Sequence, residues 1–416
     1  MKIYIALLLI LVFASCTRKP SIEETDDHPI IINIPDSIDK FKFSKYSDFY
    51  DTVKLVRLET KENCLIGRID KIISYKSNFF VLDQTQSKSV FQFDSAGKFV
   101  KEFGSRGDGP GKYNEPNDIS IKNNELVVWV NDYKKFITYG LDGNFKKEVR
   151  SASYGKSGTT LGNGSYAIYL DIGADVDTEE KHNLQIISNE GKSIGYGFEK
   201  RDKAFSKGIF FFQQTGDHIF VSPGYSNNIY ELKDNGLVKK IVVNMGKHSI
   251  PDDFYSKFND ALNFKNALNL SEYAYISEYF DTKDYVIFTL IFKGIGYDCY
   301  YSKKTKLFKY ANNWFNDIYG FVAGGGNFSV EADYVVSVYD PAQIEGYQKA
   351  FSSPPTDEER QKLSESANNF FRSSEKKAVN YFTPKDFKHT TSEINFLKSV
   401  KVTDNPIVVL KKIKPF

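Results

Sequence analysis

The sequence predicts an all-β fold, a six-bladed β-propeller of four-stranded blades with helical insertions on one face. The first observation is a sequence repeat. Two segments of the chain match when one is shifted by 46 residues, so that position 75, for example, falls on position 121. The paired residues are Tyr75/Ile121, Asn78/Asn124, Phe80/Leu126, Val81/Val127, Leu82/Val128, Phe93/Tyr139 and Gly97/Gly143. The second observation is a regular alternation of short apolar runs with Gly, Asn and Asp turns, and the third is a set of long interruptions of this pattern. A period near 45 residues with about four short strands per repeat is typical of a propeller blade.

Runs rich in Val, Ile, Phe and Tyr that are bounded by turn residues predict the strands of each blade. In the first two blades these runs are residues 69–75, 79–82, 89–93 and 99–103, then 118–121, 126–130, 136–139 and 145–149. Weaker copies predict a third blade from 165–170 and 184–188, a fourth from 218–221 and 229–232, a fifth from 285–291 and 298–301, and a sixth from 334–338 and 407–413.

The sixth predicted blade has no outer strand of its own. Residues 53–58, which read VKLVRL, alternate apolar and polar side chains ahead of the first blade. We expect this segment to pair with the last blade, because a ring left open where the chain starts and ends would expose two strand edges.

The N-terminus reads as a targeting segment. Residues 1–15 are predicted to be a signal peptide, since Lys2 precedes an apolar run at 3–13 that is too short to cross a membrane. The small residues just before Cys16 resemble the lipobox of bacterial lipoproteins, in which the cysteine is acylated; an ordinary signal peptide with an incidental cysteine is the alternative. Residues 16–45 are polar and contain an acidic cluster, which predicts a lipidated flexible tether ahead of a propeller at 46–416.

A glycine-rich segment between the first two blades, residues 104–116, reads GSRGDGPGKYNEP. It resembles the inter-blade linker of NHL-type propeller repeats, where glycines let the chain cross over at positive φ and the aromatic residue wedges between neighbouring sheets. With the lipobox, the segment VRLET at 56–60 and the segment NPIVVL at 405–410, the chain resembles the six-bladed β-propeller lipoproteins of Gram-negative bacteria. The resemblance implies a fold and a location in the outer membrane. It implies no catalytic residue, because that family shares no activity.

The long interruptions of the repeat can be sorted by face. In a propeller, the linkers between blades and the loops between second and third strands leave from one face, here called the top face. The interruptions at 171–183, 251–277 and 340–404 are all predicted to lie there, and the spacing of their apolar residues predicts helical insertions at about 251–277 and 340–404. Loops on this face can vary without disturbing the sheets, so ligand binding and mere coverage of strand ends both stay open.

Polar and aromatic residues of the predicted top-face loops are the candidate ligand-binding residues. Tyrosine offers an apolar ring with a polar tip, which suits contact with a sugar or a peptide, while a partly buried loop anchor is the alternative. The candidates are Arg106, Tyr113, Asn131, Asp132, Tyr133, Lys134, Tyr225 and Tyr297.

The sequence predicts no catalytic residue, no metal site and no cofactor. Its five histidines form neither a His-x-His nor a His-Glu-x-x-His pattern. The acidic residues at 171–180 could hold Ca²⁺ but lack the order of an EF-hand, and a solvated acidic loop is the alternative. Cys64 and Cys299 could pair in an oxidising envelope, but they lie far apart in the sequence and are expected to be free, buried thiols. The 55 basic residues nearly balance the 53 acidic ones, so nucleic acid is not an expected partner.

Together these features predict an outer-membrane lipoprotein of the cell envelope, facing either the periplasm or the cell surface. We expect its partners to be the membrane, through the lipid anchor, and an unknown ligand or envelope protein that binds the top face without catalysis. Two alternatives stay open. One is a propeller enzyme, a lyase or hydrolase with a metal or His/carboxylate site over the central channel, and the other is a scaffold subunit of a cell-surface assembly.

Overall fold

The computed structural model describes residues 20–38, 43–170, 181–199, 211–234, 236–258, 260–316, 321–322, 326–342, 344–345, 356, 358 and 391–416. The predicted signal peptide, Cys16 and residues 171–180 of the first interruption lie outside the described residues, as does most of the predicted insertion at 340–404.

The chain forms an all-β, propeller-like arrangement of four-stranded blades. Four blades are separate antiparallel sheets whose strands follow one another in chain order. Blade 1 contains β4 (Lys71–Tyr75), β5 (Asn78–Asp83), β6 (Ser89–Phe93) and β7 (Phe99–Phe103), and blade 2 contains β8 (Asp118–Lys122), β9 (Glu125–Val130), β10 (Lys135–Gly140) and β11 (Phe145–Arg150). Blade 3 contains β12 (Ser157–Thr160), β13 (Tyr166–Tyr169), β14 (His182–Ile187) and β15 (Ser193–Glu199), and blade 5 contains β20 (Ala274–Asp281), β21 (Tyr285–Phe292), β22 (Ile295–Ser302) and β23 (Phe308–Ala311).

The strands predicted for the fourth and sixth blades do not form two separate sheets. They belong to one nine-stranded sheet in the order β1-β19-β18-β17-β16-β26-β27-β28-β3. Its strands are β1 (Glu23–Asn33), β3 (Tyr50–Arg57), β16 (Phe212–Thr215), β17 (His218–Val221), β18 (Asn228–Lys233), β19 (Gly236–Asn244), β26 (Asn327–Glu331), β27 (Tyr334–Tyr339) and β28 (Ile407–Ile413). The prediction of six blades is therefore corrected: four blades are separate sheets, and the strands predicted for the other two form one sheet because β16 and β26 meet in parallel at the single pair Thr215 and Val330.

The remaining elements are small. A three-stranded sheet contains β2 (Phe43–Lys45), β24 (Asn313–Asn316) and β25 (Phe321–Val322). Helices α1 (Asp252–Tyr255) and α2 (Ala261–Leu270) lie between β19 and β20, inside the range where the sequence predicts a helical insertion, and α3 (Thr391–Ser399) lies shortly before β28. No helix among the described residues is both long and apolar enough to cross a membrane.

The burial of each strand depends on its position in the blade. The inner strands are buried along nearly their whole length, and all five residues of β4 and five of the six residues of β9 are buried. The outer strand β11, with the sequence FKKEVR, exposes most of its residues. Charged side chains on an outer strand disfavour pairing with another chain, so the lysines that weaken the apolar pattern of this strand suit its place at the edge.

The first strands of the sheets surround a common axis. β4, β8, β12, β16, β20 and β26 each pack against the next in this order, and β26 packs against β4. Large hydrophobic clusters fill the spaces between neighbouring sheets, as in the cluster that joins Ile73 and Phe80 of blade 1 to Ile119 and Val128 of blade 2. Cys64 and Cys299 are free and buried in two of these clusters, which confirms the prediction of free thiols.

The predicted closure of the ring is confirmed. β3 pairs antiparallel with β28, with Leu55 opposite Val409. Just before β28, the side chain of Asn405 is 1% exposed and ties the end of the chain to its beginning. Its Nδ2 donates to the carbonyl oxygens of Glu59 (2.8 Å) and Cys64 (2.7 Å), and its Oδ1 accepts from the Ile66 N–H at 2.8 Å. The two segments VRLET and NPIVVL, which the resemblance rests on, thus meet at this point.

The sequence predicts a flexible tether at 16–45, but residues 23–33 form β1. This strand pairs in parallel with β19. Asp26 and Asp27 of the acidic cluster lie 3.3 Å from Lys239 and Lys240 of β19, and Ile32 is 1% exposed. The acidic cluster therefore neutralises lysines of the propeller, and the apolar residues that follow it enter the core.

Asp83 holds the loop after β5 against the segment that enters blade 1. Its carboxylate is buried and accepts hydrogen bonds from five backbone N–H groups. The donors are Gly67 (2.8 Å), Arg68 (3.2 Å), Thr85 (3.3 Å), Gln86 (2.9 Å) and Ser87 (3.1 Å). Burial alone would raise the pKa of Asp83, but the backbone donors outweigh it and lower the pKa below its usual value.

The lowered pKa of Asp83 predicts acid sensitivity. A carboxyl group with a depressed pKa in the folded state contributes stability that is present above its unfolded pKa, about 3.9, and is lost as the pH falls through the folded value. We expect Asp83→Asn to lower the free energy of unfolding by about 2 kcal/mol at pH 7, because the charged acceptor is lost. Urea unfolding from pH 7 down to pH 3 should show this difference shrinking below about pH 4. Asp132→Asn, at an exposed loop position, is the matched control and should show no such change.

Candidate functional site

The top face carries a cluster of polar side chains where the blade 1–2 linker meets the loop between β9 and β10. The Tyr133 hydroxyl donates to Oδ1 of Asp108 at 2.5 Å. Nδ2 of Asn114 donates to the Tyr133 hydroxyl at 2.6 Å and to Asp108 Oδ1 at 3.0 Å. The hydrogen bond to Asp108 raises the pKa of Tyr133, so the phenol stays a neutral donor. We call Arg106, Asp108, Asn114, Tyr133 and Lys134 the linker cluster.

Glycines shape the linker half of this cluster. Gly104, Gly107 and Gly111 have φ values of +72°, +140° and +67°, which non-glycine residues rarely adopt. A Cβ on Gly104 would lie 2.5 Å from the Tyr139 hydroxyl. Glycine at these positions lets the chain turn this tightly. The side chain of Arg106, between two of these glycines, is exposed to solvent.

The loop between β9 and β10 supplies the other half of the cluster. Lys134, at a φ of +50°, donates from Nζ to the Ala152 carbonyl at 3.1 Å and lies 3.9 Å from the ring centroid of Tyr154. Asn131 is a turn residue, because its Oδ1 accepts from the Gly155 N–H at 2.8 Å. Asp132 between them is exposed. Of these three candidates, Asp132 and Lys134 present charge to solvent, whereas Asn131 supports the loop.

The other three tyrosine candidates are buried inside the fold, which does not suit ligand contact. Tyr113 is 1% exposed, and its hydroxyl donates to the carbonyl oxygen of Phe103. Tyr225 is 4% exposed and packs edge-on against Phe264 of α2. Tyr297 is 2% exposed within β22. These three tyrosines therefore fit the alternative role, in which a buried ring anchors the chain to the core.

A buried ionic bridge lies at the top of the axis between the first strands. Nζ of Lys71, the first residue of β4, lies 2.6 Å from Oδ1 of Asp118, the first residue of β8. The same Nζ donates to the Phe212 carbonyl of β16 at 3.2 Å. Oδ2 of Asp118 accepts from the Ser157 hydroxyl and from the Gly158 N–H of β12. We call this group the axial bridge, and it links the first strands of four sheets.

Sequence reasoning missed the axial bridge as well as Asp108, Asn114 and Tyr154 of the top face. The sequence feature that could have indicated the bridge is a charged residue at the start of the first strand in two successive blades, Lys71 in β4 and Asp118 in β8. Asp118 is fully buried and Lys71 is 7% exposed. Polar groups from the first strands of four sheets thus meet at the top of the axis.

His218 lies at the opposite end of its blade from the axial bridge. His218, at the start of β17, places Nδ1 2.6 Å from Oε1 of Glu231, which also pairs with Lys233. This group lies at the bottom, where the first strand of a sheet turns into the second. Burial would raise the pKa of Glu231, but the hydrogen bonds from Lys233 and His218 lower it. Within the described residues, no group of three or more His, Cys, Asp or Glu side chains is placed to hold a metal ion.

Comparisons with known proteins agree with the fold. A family model described as Domain of unknown function (DUF4934) matches residues 29–370. The crystal structure of a protein of Bacteroides fragilis NCTC 9343 described as exported has a TM-score of 0.68 and 20% identity, and the match covers 92% of this chain and 100% of that chain. A member of the duf4221 family from Bacteroides vulgatus ATCC 8482 has a TM-score of 0.48 and 9% identity, with 88% of this chain and 99% of that chain covered. No curated protein matches the sequence.

Proposed function

Because the chain belongs to the DUF4934 family, whose description assigns no activity, we propose from its geometry that it is an exported, lipid-anchored six-bladed propeller that binds a ligand or protein partner through its top face. Export is supported by the targeting pattern at 1–15 and by the description of the Bacteroides fragilis protein as exported. The lipid is attached at Cys16, where the lipobox-like residues end, and the location is the outer membrane.

The count of six blades rests on the arrangement of the first strands. Six of them pack in a closed ring. The nine-stranded sheet is then two blades, β16–β19 and β26-β27-β28-β3, that touch through the single pair Thr215 and Val330. In the first of these blades β1 is a fifth, outermost strand, and in the second β3 takes the outermost place.

The observation that carries the binding proposal is the location of the linker cluster together with α1 and α2. By strand order these all lie at the top, while the described turns at the bottom are short. Side chains of the axial bridge join first strands at the top of the axis. A partner is therefore expected to contact the loops around the mouth rather than enter the axis, which favours binding over a reaction in the channel.

A scaffold role in a cell-surface assembly is the second candidate, and helix α2 favours it. Leu262 and Leu270 of this helix are 68% and 73% exposed. Two leucines at the ends of one top-face helix could form part of an interface with a protein.

Affinity capture from the native envelope tests the binding proposal. We expect a partner to be recovered with the wild-type chain and lost about tenfold with Arg106→Glu or Tyr133→Ala, since loss of one central contact costs on the order of 1.4 kcal/mol or more. Lys304→Glu is the matched charge reversal, because Lys304 is exposed in a bottom turn. It should recover the partner at the wild-type level. Equal recovery with all variants would contradict binding through the linker cluster.

A further inference from the structure

The chain that leads into β1 is attached to the outside of blade 3. The Tyr196 N–H of β15 donates to the Pro20 carbonyl at 3.0 Å, and the Ile22 N–H donates to the Tyr196 carbonyl at 2.8 Å. Ser21 pairs with Tyr196 in the parallel direction. Residues 20–22 therefore run in the same direction as β15, which starts after a bottom turn and ends toward the top face.

The strand β1 continues in that direction along the next blade. Glu23 lies opposite Gly236 at the start of β19, and Asn33 lies opposite Asn244 at its end. β19 starts at a bottom turn and ends at the linker that contains α1 and α2. The N-terminal segment thus enters at the bottom of the propeller and rises toward the top.

The segment is held along its length. Beyond β1, Ile34 and Ile38 are 9% and 0% exposed and belong to the hydrophobic cluster between β19 and blade 5. The Tyr310 hydroxyl donates to the Ser37 carbonyl at 3.1 Å. Release of this segment would expose its buried isoleucines to water, which is unfavourable. The segment therefore stays bound in the folded protein.

The proposed lipid anchor therefore has a short reach. Cys16 is four residues before Pro20, so their Cα atoms are at most about 14 Å apart. Glu23, three residues after Pro20, lies opposite Gly236 at the start of β19. The nine residues of β19 span about 27 Å, so an anchor within about 14 Å of Pro20 cannot place the membrane beyond the top of the β16–β19 blade.

We propose that the membrane lies against the bottom turns of blade 3 and of the β16–β19 blade, so that the top face points away from the lipid. This inference rests on the proposed lipid anchor at Cys16. Its functional consequence is that the linker cluster and α2 face the aqueous compartment, where a partner can reach them.

Energy transfer from two positions to the membrane measures this orientation. The mature chain carries a fluorescent noncanonical amino acid at Glu190, in the exposed bottom turn of blade 3, or at Leu262, on top-face helix α2. Cys16 is coupled to a maleimide lipid in vesicles whose headgroups carry an energy acceptor. Cys64 and Cys299 are buried, so they are not expected to react.

We expect severalfold higher transfer from position 190 than from position 262, since the two lie about one strand length, roughly 20 Å, apart along the blade. A linker of about 20 Gly/Ser residues inserted between Arg18 and Lys19 should remove the difference, because a flexible chain of that length spans roughly 25 Å. Equal or higher transfer from position 262 with the native tether would overturn the proposed orientation.

The lipid anchor itself is tested separately in cells. If Cys16→Ala leaves the protein in the membrane fraction at the wild-type level, the proposed acylation fails, while the vesicle experiment still reports how a chain anchored at residue 16 is oriented. Release of the variant supports the anchor, and the vesicle result then applies to the native protein.

Discussion

Replacing Lys71 with methionine is expected to lower the free energy of unfolding by about 3–5 kcal/mol, because it leaves the buried Asp118 carboxylate without its counter-charge. The Lys71 ammonium lies 2.6 Å from Asp118 Oδ1 and 3.2 Å from the Phe212 carbonyl. Methionine has nearly the same length but can neither donate nor carry charge. Urea unfolding followed by tryptophan fluorescence measures the loss.

The exposed ion pair of Lys88 and Glu115 provides the matched control. Their side chains are 30% and 44% exposed, and solvent-exposed pairs contribute about 0–1 kcal/mol. Lys88→Met should therefore cost far less than Lys71→Met. The double variant Lys71→Met/Asp118→Asn should recover part of the loss, because the uncompensated charge is removed. A cost for Lys71→Met no larger than that for Lys88→Met would contradict the role of the axial bridge.

Replacing Asn405 with leucine is expected to destabilise the closure of the ring before the rest of the propeller. The substitution leaves the buried Cys64 carbonyl and the Ile66 N–H unpaired, at about 1–3 kcal/mol for each group, and it leaves the Glu59 carbonyl with only the Cys64 thiol as a donor. These groups belong to Glu59, Cys64 and Ile66, which connect β3 to blade 1. We expect the free energy of unfolding to fall by at least about 2 kcal/mol.

Hydrogen exchange distinguishes local opening from global loss of stability in this variant. The amides of β3 and β28 should lose protection first, while those of blade 2 keep theirs. Asn144→Ala, in the exposed turn between β10 and β11, is the control and should leave both sets unchanged. Uniform loss of protection across all blades of Asn405→Leu would mean that this residue does not act as a closure point.

Much of the fold could be predicted because blade strands are made by neighbouring residues. The residues 126–130, for example, combine a β-branched and aromatic run with flanking turns, and they fall within β9. The closing segment 53–58 was also identifiable, since an apolar alternation ahead of the first blade had no other partner. It overlaps β3, which ends at Arg57.

Features that depend on distant partners could not be predicted. The lysine that faces Asp26 lies 213 residues away along the chain, so the acidic cluster alone looked like a solvated tether. In the same way, Lys71 and Asp118 are 47 residues apart, and their meeting at the axis depends on how the blades pack.

The candidate site was harder to predict than the fold because tyrosine suits two environments. Tyr133 presents its hydroxyl to Asp108 in an exposed loop, whereas Tyr113 and Tyr297 are buried and their rings pack in the core. All three occur beside polar residues in the sequence, so composition does not separate them. What separates them is how far each ring is buried, because Tyr133 is only partly buried against the hydrophobic cluster that encloses Tyr113, and the extent of burial is a property of the folded chain.

Photo-crosslinking in the native envelope tests the central claim that the top face is the binding surface. A photoreactive amino acid at position 133 or 262 reports on the top, and one at position 98 or 304, both exposed in bottom turns, reports on the bottom. We expect a discrete crosslinked partner from the two top positions and only lipid adducts or none from the two bottom positions. A protein partner captured from the bottom positions and not from the top would contradict it.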